Sequence, residues 1–356
     1  MVDQITIKGY KSFKEQSIKL GSLNLLIGSN GAGKSNFLSL FELLGNAFEQ
    51  RLEAYVAMMG GVDKMLFQGR KVTDQIYVQL LMKDNSYELK LQEADGKLIV
   101  ADELLGYYPT TQGDAVSISK YTKETSIKNY NGLKRGDYIK DYLSHIRIFH
   151  FHDTGRRSPF AAECHVINDA YALYSHGENL APILYRMQRE RPVAYRRIVK
   201  VIQSVAPYFS DFYFQPSEAE MLRLQWRDRY SEMIFGPNDL SDGTIRFVAL
   251  ATLFLQPVLP SVVIIDEPEL GLHPVAIQKL AGLMKSAAAR GCQIIVATQS
   301  ADLISNFEPE QVLTATQKDG LTTVERLNGE ELTCWLRDYS LGDLWKQSIV
   351  KGGQPL

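Results

Sequence analysis

Cysteine is scarce in these 356 residues: only Cys164, Cys292 and Cys334 occur. They are odd in number and lack metal-ligand spacing, which excludes a disulfide scaffold and a cysteine-built zinc site and suits a reducing compartment. No uninterrupted apolar run is long enough to span a bilayer. The opening Met1-Val2-Asp3-Gln4 has neither the basic stretch nor the apolar core of a signal peptide. These absences predict a cytoplasmic protein with no membrane partner. Charge of one sign is also missing: 39 Lys and Arg face 41 Asp and Glu, a net charge of −2. Nucleic-acid contact would therefore need a local basic patch. Internal repeats, heptad runs and low-complexity tracts are absent, which excludes a solenoid or a long coiled coil.

What is present is an alternation of short apolar strands and helical stretches. Ile5 and Ile7, then Ile18 and Leu20, alternate with polar residues around a turn at Gly9-Tyr10-Lys11-Ser12-Phe13, predicting two strands. Residues 23–27 form a short apolar strand, and Phe37, Leu38, Leu40, Phe41, Leu43 and Leu44 follow at helical spacing. Residues 75–100 alternate as an antiparallel meander, with turns at Asp84-Asn85-Ser86 and Asp95-Gly96. Residues 106–140 read as a mobile polar excursion, and 146–151 as a strand ending at His152-Asp153. Residues 178–205 read as helical, interrupted near Pro192. Phe212, Phe214, Leu222, Leu224 and Trp226 suggest strands. Helices are expected over 241–256 and 274–289. Buried strands are expected over 262–265 and 293–297, and an edge strand over 322–327. The tail after Ser340 is short and ends in Gly352-Gly353-Gln354-Pro355.

Between the first apolar strand and its helix lies Gly28-Ser29-Asn30-Gly31-Ala32-Gly33-Lys34-Ser35, a full match to G-x-x-x-x-G-K-[ST]. Glycines let successive backbone N–H groups turn inward on phosphate oxygens, and the following helix adds its N-terminal dipole. Asn30, Gly31, Ala32, Gly33, Lys34, Ser35 and Asn36 are the candidate nucleotide-binding residues. Lys34 would reach the β- and γ-phosphates, and the Ser35 hydroxyl would meet Mg2+. Chance produces this pattern in roughly one chain in a hundred of this length.

Val262-Val263-Ile264-Ile265-Asp266-Glu267 is a buried strand that ends in two acids, where ligands collect at an α/β sheet edge. Asp266 is placed to hold Mg2+ through water, and Glu267 to orient or deprotonate an attacking water. About twenty residues upstream, Leu240-Ser241-Asp242-Gly243-Thr244-Ile245-Arg246 offers a hydroxyl, free N–H groups and a helix dipole at one helix start. An ordinary helix cap at Ser241 would look the same in isolation.

In this order the segments resemble the ABC-type ATPases, and the Leu-Ser-Asp-Gly-Thr form resembles the signature of RecF- and SMC-like members. That resemblance implies that Ser241 and Gly243 bind the γ-phosphate of ATP held by an opposite subunit. Gly9-Tyr10-Lys11-Ser12-Phe13 is similar to the opening of SMC heads, implying that Lys11 lies near the nucleotide. Glu267-Pro268-Glu269-Leu270-Gly271-Leu272-His273-Pro274 resembles the acidic strand end and following loop of RecF- and OLD-like ATPases. Ala297-Thr298-Gln299-Ser300 occupies the place of the family's switch, with Gln299 where the family has histidine. A glutamine can donate to a phosphate oxygen but carries no charge. Where the family has a Mg2+-contacting glutamine, this chain offers His150, His152 and Asp153; either Asp153 or His152 would substitute, or the two histidines are surface groups at a strand end.

The resemblance implies an α/β ABC-ATPase head: a phosphate-loop mixed and parallel β core, an antiparallel β subdomain and a helical insertion, without long coiled coil. Residues 1–155 would form the first lobe, 156–235 an insertion and 236–356 the second lobe, both lobes making one composite domain. The stretches Asn179-Leu180-Ala181-Pro182-Ile183-Leu184-Tyr185 and Trp335-Leu336-Arg337-Asp338-Tyr339-Ser340-Leu341-Gly342-Asp343-Leu344-Trp345 are similar to a bacterial single-head group found in anti-phage defence and DNA repair. The expected activity is ATP hydrolysis, with a head-to-tail dimer or higher oligomer of itself and a separate, nuclease-like effector as partners. No Asp-x-Asp pair occurs, so a nuclease would be a separate polypeptide. The basic run at 186–200, with Tyr185 and Tyr195, marks DNA as a further partner, or is a solvated helix face. Alternatives are an ATP-binding sensor or scaffold with weak hydrolysis, and a transporter's ATP-binding subunit.

Overall fold

Alternating burial gives the first strand, Gln4–Tyr10, and Lys11 turns the chain back in the left-handed region, φ 45°, into Phe13–Lys19. The computed structural model describes residues 1–107 and 115–350. The glycine-proline tail at 352–355 and part of the 106–140 stretch lie outside the described residues.

The chain divides into two units. The first comprises Met1–Ile148, Ser261–Ile264 and Gly291–Leu356; the second comprises Phe149–Pro260 and Ile265–Arg290. In the first unit the opening hairpin joins the meander in one antiparallel sheet, ordered Phe13–Lys19, Gln4–Tyr10, Gln75–Met82, Asn85–Ala94, Lys97–Tyr107, Val116–Ser119. The other sheet has Leu23–Ile27 near its centre, paired in parallel with both Gln293–Thr298 and Val312–Lys318. All five residues of Leu23–Ile27 are buried, as a parallel strand covered on both faces requires. Leu321–Arg326 closes one edge antiparallel, where an edge strand is expected. Val262–Asp266 and Ile148–Phe149 complete the order on the other side.

The helix Lys34–Phe48 buries Phe37, Leu40, Phe41 and Leu44, an i, i+3, i+4, i+7 stripe. Phe37 meets Phe41 edge-to-face at 5.4 Å. Truncating either ring to alanine would cost about 3–5 kcal/mol. Gln293, fully buried, satisfies all of its amide valences. Its Nε2 donates to Val2 O (2.7 Å) and Gly21 O (2.9 Å), and its Oε1 accepts from Val2 N (3.0 Å) and the Tyr142 hydroxyl (2.9 Å).

Two sequence expectations need correction, and one pair of elements is new. The 106–140 stretch is no excursion in its described part: Val116–Ser119 extends the sheet, and the helix Arg135–Ser144 buries Ile139, Tyr142 and Leu143. Its polar surface residues hide that apolar stripe from a composition-based reading. The strand expected over 146–151 shrinks to Ile148–Phe149. Two short helices, Leu52–Met58 and Val62–Met65, were not anticipated, being too short for periodicity to register.

In the second unit, the helices Leu180–Glu190 and Pro192–Gln203 meet at Pro192, which occupies the first turn, where its missing N–H costs nothing. Phe209–Tyr213, Gln225–Asp228 and Ile234–Phe235 form a small antiparallel sheet. Trp226 stacks there on Phe235 at 5.0 Å. The helices Asp242–Leu255 and Pro274–Ala289 complete the unit.

Candidate functional site

The phosphate loop leaves the sheet at the end of Leu23–Ile27 and enters the helix at Lys34. Gly31 and Gly33 take φ of 80° and 98°, conformations that L side chains rarely adopt. A Cβ at Gly31 would meet nothing within 4 Å, so the loop opens to solvent there. At Gly33 the situation reverses, and a Cβ would fall 2.1 Å from Thr322 Oγ1. Lys34 Nζ donates to Gly28 O (2.7 Å) and Ser29 O (3.0 Å), folding its ammonium over its own loop. Ser35 is exposed at the first helical turn. An open glycine cradle, an ammonium and a helix start match a polyphosphate in shape and charge.

Behind the loop runs a hydroxyl network that sequence reasoning missed. Thr322 Oγ1 lies 2.8 Å from Ser12 Oγ and 3.3 Å from Ala32 O. Asn36 Nδ2 donates to the same Ser12 Oγ at 2.8 Å, and Thr322 N donates to Ser12 O at 2.8 Å. The hairpin turn, the edge strand and the loop are thereby tied together. Asn36, a nucleotide-binding candidate, is engaged in this network. Lys11 Nζ donates to Ser39 Oγ at 2.7 Å, which sets it against the phosphate-loop helix. Partial burial lowers its ammonium's pKa, opposed by the Glu42 carboxylate. Thr298 is in parallel register with Ile27, so Gln299 and Gly28 leave the sheet side by side.

The remaining candidates belong to the second unit. Ser241 is the exposed N-cap of Asp242–Leu255, and its Oγ accepts from Thr244 N at 3.3 Å. Gly243 has a packing reason to be glycine: a Cβ there would fall 2.3 Å from Gly271 O. Asp266 ends its strand and is half-buried. Glu267 sits at φ 42°, a left-handed conformation that costs a non-glycine residue about 1–2 kcal/mol and recurs at functional sites. Burial lowers the pKa of His152; His150 and Arg246 add to this, and Asp266 and Glu267 oppose it. The last two place His152 within electrostatic range of both acids. Asp153 is exposed, and its Oδ1 accepts from Gly155 N at 3.2 Å, a turn of its own making. Among the described residues no group of three or more His, Cys, Asp or Glu could hold a metal ion by itself.

Arg246 closes the signature stretch, where the sequence alone suggests no role for it. Its Nε donates to Phe151 O (2.9 Å), Nη2 to His152 O (2.8 Å) and Nη1 to Leu270 O (2.6 Å). Bonds to main-chain carbonyls leave no pattern in a sequence, and neither does the contact of Thr322 with Gly33.

Two family profiles match the chain from residue 1 to residue 305. "AAA ATPase domain" covers residues 1–145, and "AAA domain, putative AbiEii toxin, Type IV TA system" covers residues 130–305. The DNA replication and repair protein RecF of Halothermothrix orenii is 29% identical over 92 residues, 26% of this chain and 22% of that protein. The energy-coupling factor transporter ATP-binding protein EcfA2 of Streptococcus pyogenes is 32% identical over 114 residues, 30% of this chain and 39% of that protein. An Smc head bound to the C-terminal winged-helix domain of ScpA shares the fold. Its TM-score is 0.63 at 16% identity, over 94% of this chain and 99% of that one. The chain is similar to AAA- and ABC-type ATPases such as RecF, and it shares the fold of SMC heads. A second Smc head from Pyrococcus furiosus, with an extended coiled coil and bound to the C-terminal domain of ScpA, agrees at TM-score 0.54 and 15% identity, over 95% of this chain and 98% of that one. The chain spans only 22% and 39% of the lengths of the RecF and EcfA2 proteins it matches. None of its helices, among the described residues, is long and apolar enough to cross a membrane.

Proposed function

We propose that two copies of this cytoplasmic head meet head to tail and hydrolyse ATP held between them, and that this cycle controls a separate effector. The observation that carries the reading is the pairing of an open glycine cradle at Gly31 with an exposed serine cap at Ser241. Residues 28–36 of one copy would hold the triphosphate, with Lys34 on the β- and γ-phosphates and Lys11 alongside. Ser241 and Gly243 of the other copy would complete the γ-phosphate shell in a C2 arrangement. Mg2+, when bound, neutralises phosphate charge. Ser35 and Asp266 would hold it, with Asp153 or His152 as the further candidates. Glu267 orients the water that attacks the γ-phosphorus, and Gln299 donates to a γ-oxygen. Loss of that phosphate removes the bridge between copies, so dimer affinity follows nucleotide occupancy.

The test is Glu267→Gln. It should bind ATP, turn over very slowly and accumulate as a dimer in saturating ATP by light scattering. Ser241→Arg should spare nucleotide binding and abolish the dimer. A Glu267→Gln protein that stays monomeric in ATP sinks the sandwich reading. The neutral Gln299 favours a second reading, a sensor or scaffold with weak hydrolysis, which a low wild-type turnover alongside intact ATP-driven dimerisation would support.

The effector is inferred to be nuclease-like and to act in anti-phage defence or DNA maintenance. The analogy is at family level and includes the toxin–antitoxin description matched over residues 130–305. DNA contact has a more local support. Arg196, Arg197 and Lys200 on Pro192–Gln203 and Lys279 on Pro274–Ala289 line one cavity of about 590 Å³ with no acidic side chain. Tyr195 takes no part: it is buried and its hydroxyl donates to Asp211 at 2.6 Å. Arg186 is paired with Glu190 at 2.9 Å. The candidate surface is thus narrower than the basic run in the sequence.

A further inference from the structure

Arg246 lies on the second turn of the helix Asp242–Leu255 that Ser241 caps. Its guanidinium reaches three main-chain carbonyls on two other segments of the same unit. One segment is the pair Phe151–His152, the other the loop that begins at Glu267 and passes through Leu270. The planar fork is suited to bridging them. It offers five donors in fixed geometry, and a lysine in its place could reach fewer of the three acceptors. Two glycines admit the contact. A Cβ on Gly271 would lie 2.7 Å from Arg246 Nη1, and one on Gly243 would lie 2.3 Å from Gly271 O. The start of this helix and the loop after the acidic strand end are therefore in backbone contact, with Arg246 joining them. The loop's first residue, Glu267, is the strained one at φ 42°. A strained residue keeps its conformation only while its surroundings over-determine it.

We propose that Arg246 is a positioning residue that couples residues 241–243 to Glu267, so that contact of the helix start with a partner's nucleotide sets the Glu267 geometry in the same copy. This rests on the sandwich reading above. Arg246 touches no reacting atom; it acts through Leu270 O and His152 O.

The experiment compares wild type, Arg246→Lys, Gly271→Ala and Arg290→Lys. Gly271→Ala presses on the same guanidinium from the loop side. Arg290 donates to Phe254 O (2.5 Å) and Gln256 O (3.4 Å) at the far end of the same helix, so its loss reports helix anchoring alone. Nucleotide affinity is read with a fluorescent ATP analogue, turnover as a function of protein concentration, and folding by thermal melting. Arg246→Lys and Gly271→Ala should keep nucleotide affinity within roughly threefold, while kcat falls on the order of 10- to 100-fold as a catalytic group is misplaced. Turnover per molecule should also cease to rise with protein concentration. Arg290→Lys should lower the melting temperature and leave both readouts in place. Arg246→Lys with wild-type kcat and concentration dependence overturns the coupling. So does an equal loss of kcat in Arg290→Lys, which would make the effect one of stability. A wild-type turnover that does not depend on protein concentration overturns the sandwich reading instead, and the two failures are distinguishable.

Discussion

Gly33→Ala, at the end of the phosphate loop, should be costly for two separable reasons. The first is local: at φ 98° an L-residue strains its own backbone, by about 1–2 kcal/mol. The second is a clash. The added methyl would fall 2.1 Å from Thr322 Oγ1, 2.6 Å from its Cγ2 and 2.9 Å from its Cβ. Thr322 is nearly fully buried and bonded to Ser12, so it has little room to yield. Overpacking of this kind costs about 1–3 kcal/mol. The total is on the order of 2–5 kcal/mol. Thr322→Ala removes Oγ1 and Cγ2 but not Cβ, so it should relieve most of the clash and none of the backbone strain. A double-mutant cycle would then give a favourable coupling of about 1–2 kcal/mol, well outside the few tenths expected of independent sites. Urea unfolding followed by circular dichroism gives the four stabilities. Additivity within about 0.5 kcal/mol would refute the claim that Thr322 is what Gly33 packs against.

Charge reversal in the basic cavity, Arg197→Glu with Lys200→Glu, should weaken duplex DNA binding and flatten its salt dependence by about one unit per lost phosphate contact, read by fluorescence anisotropy across a salt series. Unchanged binding there removes DNA from that surface. Glu103 should make stability fall as pH rises. It is fully buried, and burial lifts its pKa above the usual carboxylate value, against the bonds it accepts from Ser126 N, Tyr87 Oη and Ile127 N. The folded state therefore holds a proton that the unfolded state has released, so stability drains from about pH 4 upward to the folded-state pKa. Glu103→Gln should remove that slope; a wild-type-minus-variant difference that is flat with pH would count against it.

Much of this fold could be read in the chain because its chemistry is written in contiguous runs. Gly28 to Ser35, the apolar strand before it and the 37, 40, 41, 44 stripe after it are local, and the structure keeps them as strand, loop and helix. The strand ending at Asp266 was legible because four consecutive apolar residues can only be buried. What escaped depends on partners distant in sequence. Thr322 is one threonine in an alternating edge strand until Gly33 is placed against it, 289 positions away (322 − 33). Arg246 reads as a solvated helix cation until three carbonyls are seen around it. Helix Arg135–Ser144 was hidden because its buried Ile139, Tyr142 and Leu143 are outnumbered by polar residues facing away.

The close approach of Gly243 to Gly271 changes how mutants of this region should be interpreted. A side chain at Gly243 would push on main chain belonging to the loop that carries Glu267, whether or not any phosphate is near. An inactive Gly243 variant would thus carry two signatures at once, lost contact across copies and a displaced loop within one copy. Ser241 has no such double meaning. It is exposed, and among the described residues its side chain bonds within the first turn of its own helix, to Thr244. For this chain, serine rather than glycine is the informative place to ask what the signature does.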